Sequence, residues 1–189
     1  MYWHEVLKKF PGAIALDLLD PAAPESLRTL MAEGEVRHIP AIAPQGLSKI
    51  PADSYDIVVA FDLIEHMTKS EGYLFLYEVD RITSGISIIF TPYGFVWQPP
   101  SENNPFNAHI SGWTPNELHR LGYREVRGHT GFRYLIGAYG AAKWQGLAGR
   151  LSHATAYLVR YLPELAFAFS AIKRHEPWRA NRHEGVAQG

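Results

Sequence analysis

Cysteine is absent from the 189 residues, which excludes a disulfide framework, a thiolate nucleophile and a cysteine-rich zinc site. Strong net charge is absent too. A formal charge of −1 offers no bulk attraction to nucleic acid or to an anionic membrane. Long hydrophobic runs are missing: the longest near-apolar stretch, Leu165 to Ile172, falls far short of the roughly 20 residues that span a bilayer. The N-terminal MYWHEVLKK has no apolar signal-peptide core. No internal repeat or low-complexity segment is visible. These absences lead to the expectation of a soluble, cytoplasmic protein with no membrane span and no bulk nucleic-acid partner.

What is present is a chain that is 47% hydrophobic and 20% charged, enough for one domain with a substantial core. Tyr2 to Phe10 has the spacing of a short amphipathic helix, stopped by Pro11-Gly12. Ala13 to Leu16 reads as a strand closing on Asp17. A helix is expected from Pro24 or Glu25 to Ala32, a strand over Val36–Ile39, and a proline-containing loop over Pro40–Pro51.

The centre of the chain is clearer. Tyr55 to Phe61 is an apolar run that stops at Asp62, and Ile86 to Phe90 is a second that stops at Thr91-Pro92. Between them Phe75, Val79 and Ile82 repeat at helical spacing. Strand, helix, strand at that distance is a βαβ crossover, with its strands parallel and buried on both faces. Ligands of such sheets sit beyond the carboxyl ends of the strands, here marked by Asp62, Glu65, His66 and Thr91.

A long Pro- and Asn-rich loop follows Gly94. It holds Trp97, Asn104, Asn107 and His109, and loops of that length are usually functional. Thr114-Pro115 opens a helix through Leu121, and Tyr123–Thr130 alternates as a strand. Glycines 137, 140, 146 and 149 mark a flexible passage. Leu147, Leu151, Ala154, Leu158 and Tyr161 then form one face of an amphipathic helix, expected to pack on the sheet. Leu165–Ile172 reads as a last strand because Leu165, Phe167, Phe169 and Ala171 alternate. Residues 1–173 are therefore expected to form one α/β domain, and 174–189 a polar tail.

The segments YDIVVAFDLIEHM, ISIIFTPYG, HISGWTPNELHRLGYREV and PELAFAFSAIKR, in this order, resemble the class I S-adenosylmethionine-dependent methyltransferases. The resemblance implies a doubly wound, mostly parallel Rossmann-like sheet with an antiparallel last strand. It implies methyl transfer from S-adenosylmethionine to a small-molecule hydroxyl or amine. By position it implies that Asp17 and Leu18 contact the ribose side of the cofactor, with Phe61 and Asp62 beside it. Tyr93, Trp97, Asn104 and Trp113 fall where the family contacts its acceptor.

The spacing D-x-x-E-H with a distant H-x-x-x-W-T also resembles metal-dependent members, including small-RNA 3′-end and some quinone-pathway O-methyltransferases. Asp62, Glu65, His66 and His109 thus become candidate ligands for magnesium or manganese. Without a metal, His66, His109 and Glu65 are candidates for moving the acceptor's proton.

The family's first strand and the glycine-rich loop that cradles the cofactor have no counterpart before Tyr2. The sheet is therefore expected to be N-terminally incomplete, with unpaired edges where that strand would lie. This leaves two alternatives to a simple enzyme. One is a homodimer contact at the gap; the other is a catalytically inactive, methyltransferase-like interaction module.

Overall fold

The computed structural model describes residues 16–21, 36–100, 105–132, 154–155 and 157–175. The chain forms two compact units, Met1–Ile50 and Pro51–Gly189.

In the first unit, β1 (Leu16–Leu19) and β2 (Val36–Ile39) pair in parallel, Leu16 opposite Val36 and Leu19 opposite Ile39. Leu18 and Val36 are buried. The strand runs past Leu16, where its composition suggests that it ends, to Leu19. Asp17 is inside it, not at its end, because the ladder with β2 runs on to Leu19 and Asp20 N still donates to Ile39 O at 3.2 Å. Its carboxylate is taken by Arg37, whose Nε donates to Oδ1 at 2.9 Å.

The second unit is built on β3 (Tyr55–Phe61), α1 (Lys69–Ile82), β4 (Thr83–Pro92), α2 (Pro115–Arg120), β5 (Glu125–Phe132) and β6 (Ala166–Arg174). The sheet order is β3-β4-β6-β5. β3 and β4 are parallel, and β6 lies antiparallel to both β4 and β5. The last strand is thus antiparallel as expected, shifted by one residue at its start and two at its end. Pro163–Leu165 forms a 3₁₀ turn, and pairing continues to Ile86 opposite Arg174. Among the described residues no strand joins the β1–β2 pair to the four-stranded sheet.

The start of α1 is fixed chemically. Thr68 accepts from Glu71 N at 3.3 Å while its own amide donates to the Glu71 carboxylate at 2.9 Å, a reciprocal capping box. The helix buries Phe75, Leu76, Val79 and Ile82 and packs on β4. Each such side chain contributes roughly 1.5–3 kcal/mol by leaving water. Along β4, Thr83, Ser87, Ile89 and Thr91 are buried while Ile86, Ile88 and Phe90 are half-buried. α2 repeats the same cap with Thr114 and Glu117, and Pro115 opens it.

The amphipathic helix is not oriented as its stripe suggests. Leu147 and Leu151 lie outside the described residues, as do the Gly137–Gly149 passage, the two N-terminal helices and residues 176–189. Leu158 and Tyr161 are 58% and 70% exposed, and Val159 is the residue turned inward. The cause is a close backbone approach. A Cβ on Gly128 of β5 would stand 2.0 Å from Val159 O, and Gly128 N donates to Arg160 O at 3.3 Å. That contact fixes the inward side.

The tail does not begin at residue 174 either, because polar partners hold the residues around that point. Lys173 pairs with Asp80 and donates to Leu121 O at 2.9 Å. Arg174 Nε donates to Glu125 Oε1 at 2.6 Å, and His175 Nε2 lies 3.3 Å from the buried Ser87 hydroxyl.

Trp113 pins α1 and α2 together. It is fully buried, the Lys69 ammonium stands 3.8 Å over its ring, and Lys69 also pairs with Glu117 at 2.5 Å. The indole fits because residue 72 has no side chain: a Cβ there would meet Trp113 Cζ2 at 2.3 Å. Gly72→Ala is expected to destabilise the fold by about 1–3 kcal/mol through overpacking, lowering Tm by several degrees. An unchanged thermal melt would show that the indole is not wedged there.

Candidate functional site

β3 ends at Phe61, and Asp62 turns the chain with φ +45°, a conformation that Asp tolerates better than most residues. Its amide still closes the ladder, donating to Phe90 O at 3.0 Å. The chain then forms a 3₁₀ turn, Ile64–His66, with Ile64 and Glu65 buried. This turn receives the segment after β4. Ile110 N and Ser111 N donate to Glu65 O at 2.8 and 3.0 Å, and Ser111 Oγ and Trp113 Nε1 donate to Ile64 O at 3.2 and 3.0 Å. At the root of the loop, Gly94 N donates to Trp113 O at 2.6 Å. His109 is thereby carried to His66.

The two imidazoles meet edge to face, 4.9 Å between centroids. His66 Nδ1 lies 2.9 Å from Ala108 O, and His109 Nδ1 lies 2.7 Å from Val96 O. A carbonyl only accepts, so each Nδ1 carries the proton and each neutral ring presents a bare Nε2. Burial holds the His109 pKa below the usual histidine range, with the Val96 bond opposing it.

Glu65 completes the group. Thr91 Oγ1 donates to Oε2 at 2.9 Å, whereas the buried Oε1 has no hydrogen-bond partner among the described residues. Burial pushes its carboxyl up to about 7, with its own amide and Thr91 opposing and the Asp62 charge adding. One ligand atom from each of Glu65, His66 and His109 falls within 4.8 Å of the others. Two imidazoles and a carboxylate, with both imidazoles anchored through the far nitrogen, form a donor set suited to a first-row divalent metal. Mixed nitrogen and oxygen donors suit manganese, iron or zinc better than magnesium, which prefers oxygen.

The other expected residues divide. Asp62 is exposed and is not among the three donors grouped within 4.8 Å, but it stands close enough to Glu65, His66 and His109 to interact with each. Enough protein surrounds it that partial desolvation raises its carboxyl pKa, while His66 and His109 pull it down. Phe61 is half-buried against Phe90, 6.1 Å between rings. Tyr93 stacks edge-on to Phe169, and Trp97 is 76% exposed. Trp113, expected on the acceptor side, is fully buried as the pin between helices and presents no surface. Asn104 lies outside the described residues, and Asn107 uses its backbone carbonyl to accept from Gln98 Nε2 at 2.6 Å. Asp17 and Leu18 belong to the other unit, one paired with Arg37 and the other buried. Sequence reasoning assigned no role to Thr91 or to the Val96 and Ala108 carbonyls. Thr91 was legible at a strand end, but backbone carbonyls leave no sequence signal.

Several solved structures share this fold. A Mesorhizobium loti S-adenosylmethionine-dependent methyltransferase is 14% identical over 92% of this chain and 86% of its own, with a TM-score of 0.55. The Burkholderia thailandensis 1,6-didemethyltoxoflavin-N1-methyltransferase, seen with 1,6-didemethyltoxoflavin and S-adenosylhomocysteine, is 11% identical over 90% and 65%, with 0.54. The [4+2]-cyclase SpnF is 15% identical over 90% and 70%, with 0.53. No family model matches the sequence, and no curated protein matches it. The chain has the class I S-adenosylmethionine-dependent methyltransferase fold, and one of these neighbours shows that the fold also serves other chemistry.

Glu65 yields a test without any ligand. Its folded pKa lies above its unfolded value near 4.5, so its ionisation destabilises the fold progressively as pH rises from about 4.5 to 7 and fully above that. In metal-free protein, Glu65→Gln is expected to raise stability at pH 8 by on the order of 3 kcal/mol. Near pH 4.5 the gain should vanish. Thermal melts across pH check this, and a gain independent of pH would refute the assignment.

Proposed function

We propose that the chain is a cytoplasmic S-adenosylmethionine-dependent methyltransferase acting on a small-molecule hydroxyl or amine, with Glu65, His66 and His109 as its reaction centre. The observation that carries this reading is the pair of imidazoles with bare Nε2 atoms at the carboxyl ends of β3 and β4, where parallel sheets present their ligands.

When bound, S-adenosylmethionine supplies an electrophilic methyl carbon, and its C–S electron pair stays on sulfur. The acceptor lone pair forms the new bond, so a hydroxyl or amine must lose a proton. The depressed pKa of His109 keeps Nε2 free to take it. Phe61 and Asp62 are the residues of this unit proposed to stand beside the cofactor, with Tyr93 and Trp97 towards the acceptor. In a version without a histidine base, Glu65, His66 and His109 would instead hold a divalent cation, which would lower the acceptor's pKa.

The alternative is a non-catalytic interaction module, or a member that does other chemistry. It draws support from the likeness to a cyclase. Calorimetry with S-adenosylmethionine separates the readings, since an enzyme of this kind must bind it and an interaction module need not. Manganese added to metal-stripped protein is expected to raise Tm in a saturable way. His109→Ala should abolish that shift and leave cofactor binding intact. If manganese stabilises the variant as well as the parent, the metal role fails; if no S-adenosylmethionine binding is seen, the methyl-transfer reading fails.

A further inference from the structure

The segment that carries His109 is one arm of a two-stranded flap. Gly94 bridges antiparallel to Trp113, and His109 N donates to Gln98 O at 3.0 Å. Both contacts belong to one antiparallel register, in which Trp97 stands opposite Ile110 and Phe95 opposite Gly112. The pair is tight at Gly112, where a Cβ would meet Phe95 N at 2.1 Å. Side chains alternate between the faces of such a pair. The inner face holds Val96 and His109, half-buried, with Ser111 and Trp113, buried. The outer face holds Phe95, Trp97 and Ile110. Each keeps more than half of its surface exposed, as does Phe106 in the turn Pro105–Asn107. A single exposed apolar side chain is ordinary, but three on one face of a strand pair mark an interaction surface.

We propose that this outer face docks on a zwitterionic lipid surface, with Trp97 and Ile110 entering the boundary between headgroups and acyl chains. From Tyr93 to Trp113 the sequence holds no Asp, Glu, Lys or Arg except Glu102, which lies outside the described residues. An uncharged face on a chain of net charge −1 has no electrostatic attraction to anionic headgroups or nucleic acid. A small ligand is held in a concave site that covers most of it, whereas these side chains stand open on the face of a strand pair. A protein partner is met through about one hydrogen bond per 100–200 Å². The Gln98 amide is turned inward to the flap itself, Nε2 donating to Asn107 O at 2.6 Å. What the outer face offers is apolar area with an indole at its centre, which partitions at a bilayer interface without directional bonds. Surface partitioning of this kind needs no membrane-crossing helix. Trp97 lies between Val96 and Gln98, whose carbonyls hold His109, so docking would bring the site to the lipid boundary. An acceptor dissolved in lipid would reach the site past Trp97; that clause alone rests on the methyl-transfer reading.

Flotation with phosphatidylcholine vesicles tests the docking. The unmodified chain is expected to rise with the vesicles, and to do so equally with phosphatidylserine included and in high salt, since no charge is involved. Trp97→Ser combined with Ile110→Ser should weaken partitioning roughly a hundredfold, with a thermal melt verifying that the variant is folded. Trp97→Phe keeps the face apolar and should still float. It should lose the quenching of tryptophan fluorescence that vesicles brominated on the acyl chains produce in the unmodified chain. Failure to float, flotation that needs phosphatidylserine and is lost in salt, or undiminished quenching in Trp97→Phe would each overturn the proposal. So would a dimer of the unmodified chain that the double serine variant makes monomeric, since a second copy would then be the occupant. Calorimetry that finds no S-adenosylmethionine binding would remove the methyl-transfer reading and leave the docking to be decided by flotation.

Discussion

The candidate site depends on two backbone carbonyls, those of Ile64 and Glu65. Together they accept from Ile110, Ser111 and Trp113, and by doing so they bind the segment after β4 to the turn after β3. Without these bonds His109, forty-three positions from His66 by their numbers, would have no reason to lie beside it. The turn can offer both carbonyls inward because Asp62 has a positive φ. Strain at one exposed residue thus sets the geometry of a buried acceptor pair, a pattern common where structure serves a site.

The same turn buries Glu65 beside Thr91, and its electrostatics follow. A carboxyl with one satisfied oxygen and one unpartnered oxygen is costly to keep ionised. Its pKa near 7 expresses that cost. The imidazoles are held in the opposite way, each fixed in one tautomer by a carbonyl and left with a free acceptor nitrogen. A hydrophobic cluster would fill this space at less cost. The polar group persists because the rest of the unit, above all the packing of α1 and Trp113, holds its backbone in place.

Much of the fold was legible because its signals are local. Apolar runs ending at Asp62 and Thr91, the helical repeat of Phe75, Val79 and Ile82, and the alternation around Phe167 and Phe169 each identify an element without tertiary information. The failures share a cause. The strand through Asp17, the inward turn of Val159 and the burial of Trp113 are all decided by a distant partner: β2, Gly128 and Gly72 respectively. Periodicity ranks faces by hydrophobicity and cannot foresee a backbone that approaches to within a missing Cβ. The site divides likewise. D-x-x-E-H was readable as a constellation, but the carbonyls that set its tautomers were not.

Residue types at the site constrain its chemistry more tightly than the fold does. Neighbours of similar backbone include two methyltransferases and a cyclase, so the sheet alone cannot choose between transferring a methyl group and shaping a substrate. Methylation of a hydroxyl or amine requires the acceptor to give up a proton, and the residue types at the site bear on that step in a way the backbone does not. His66 and His109 are each held through Nδ1 by a carbonyl, and one donor atom from each falls within 4.8 Å of a Glu65 oxygen. A buried carboxyl and two oriented imidazoles are costly to maintain and form a group able to move a proton or hold a metal.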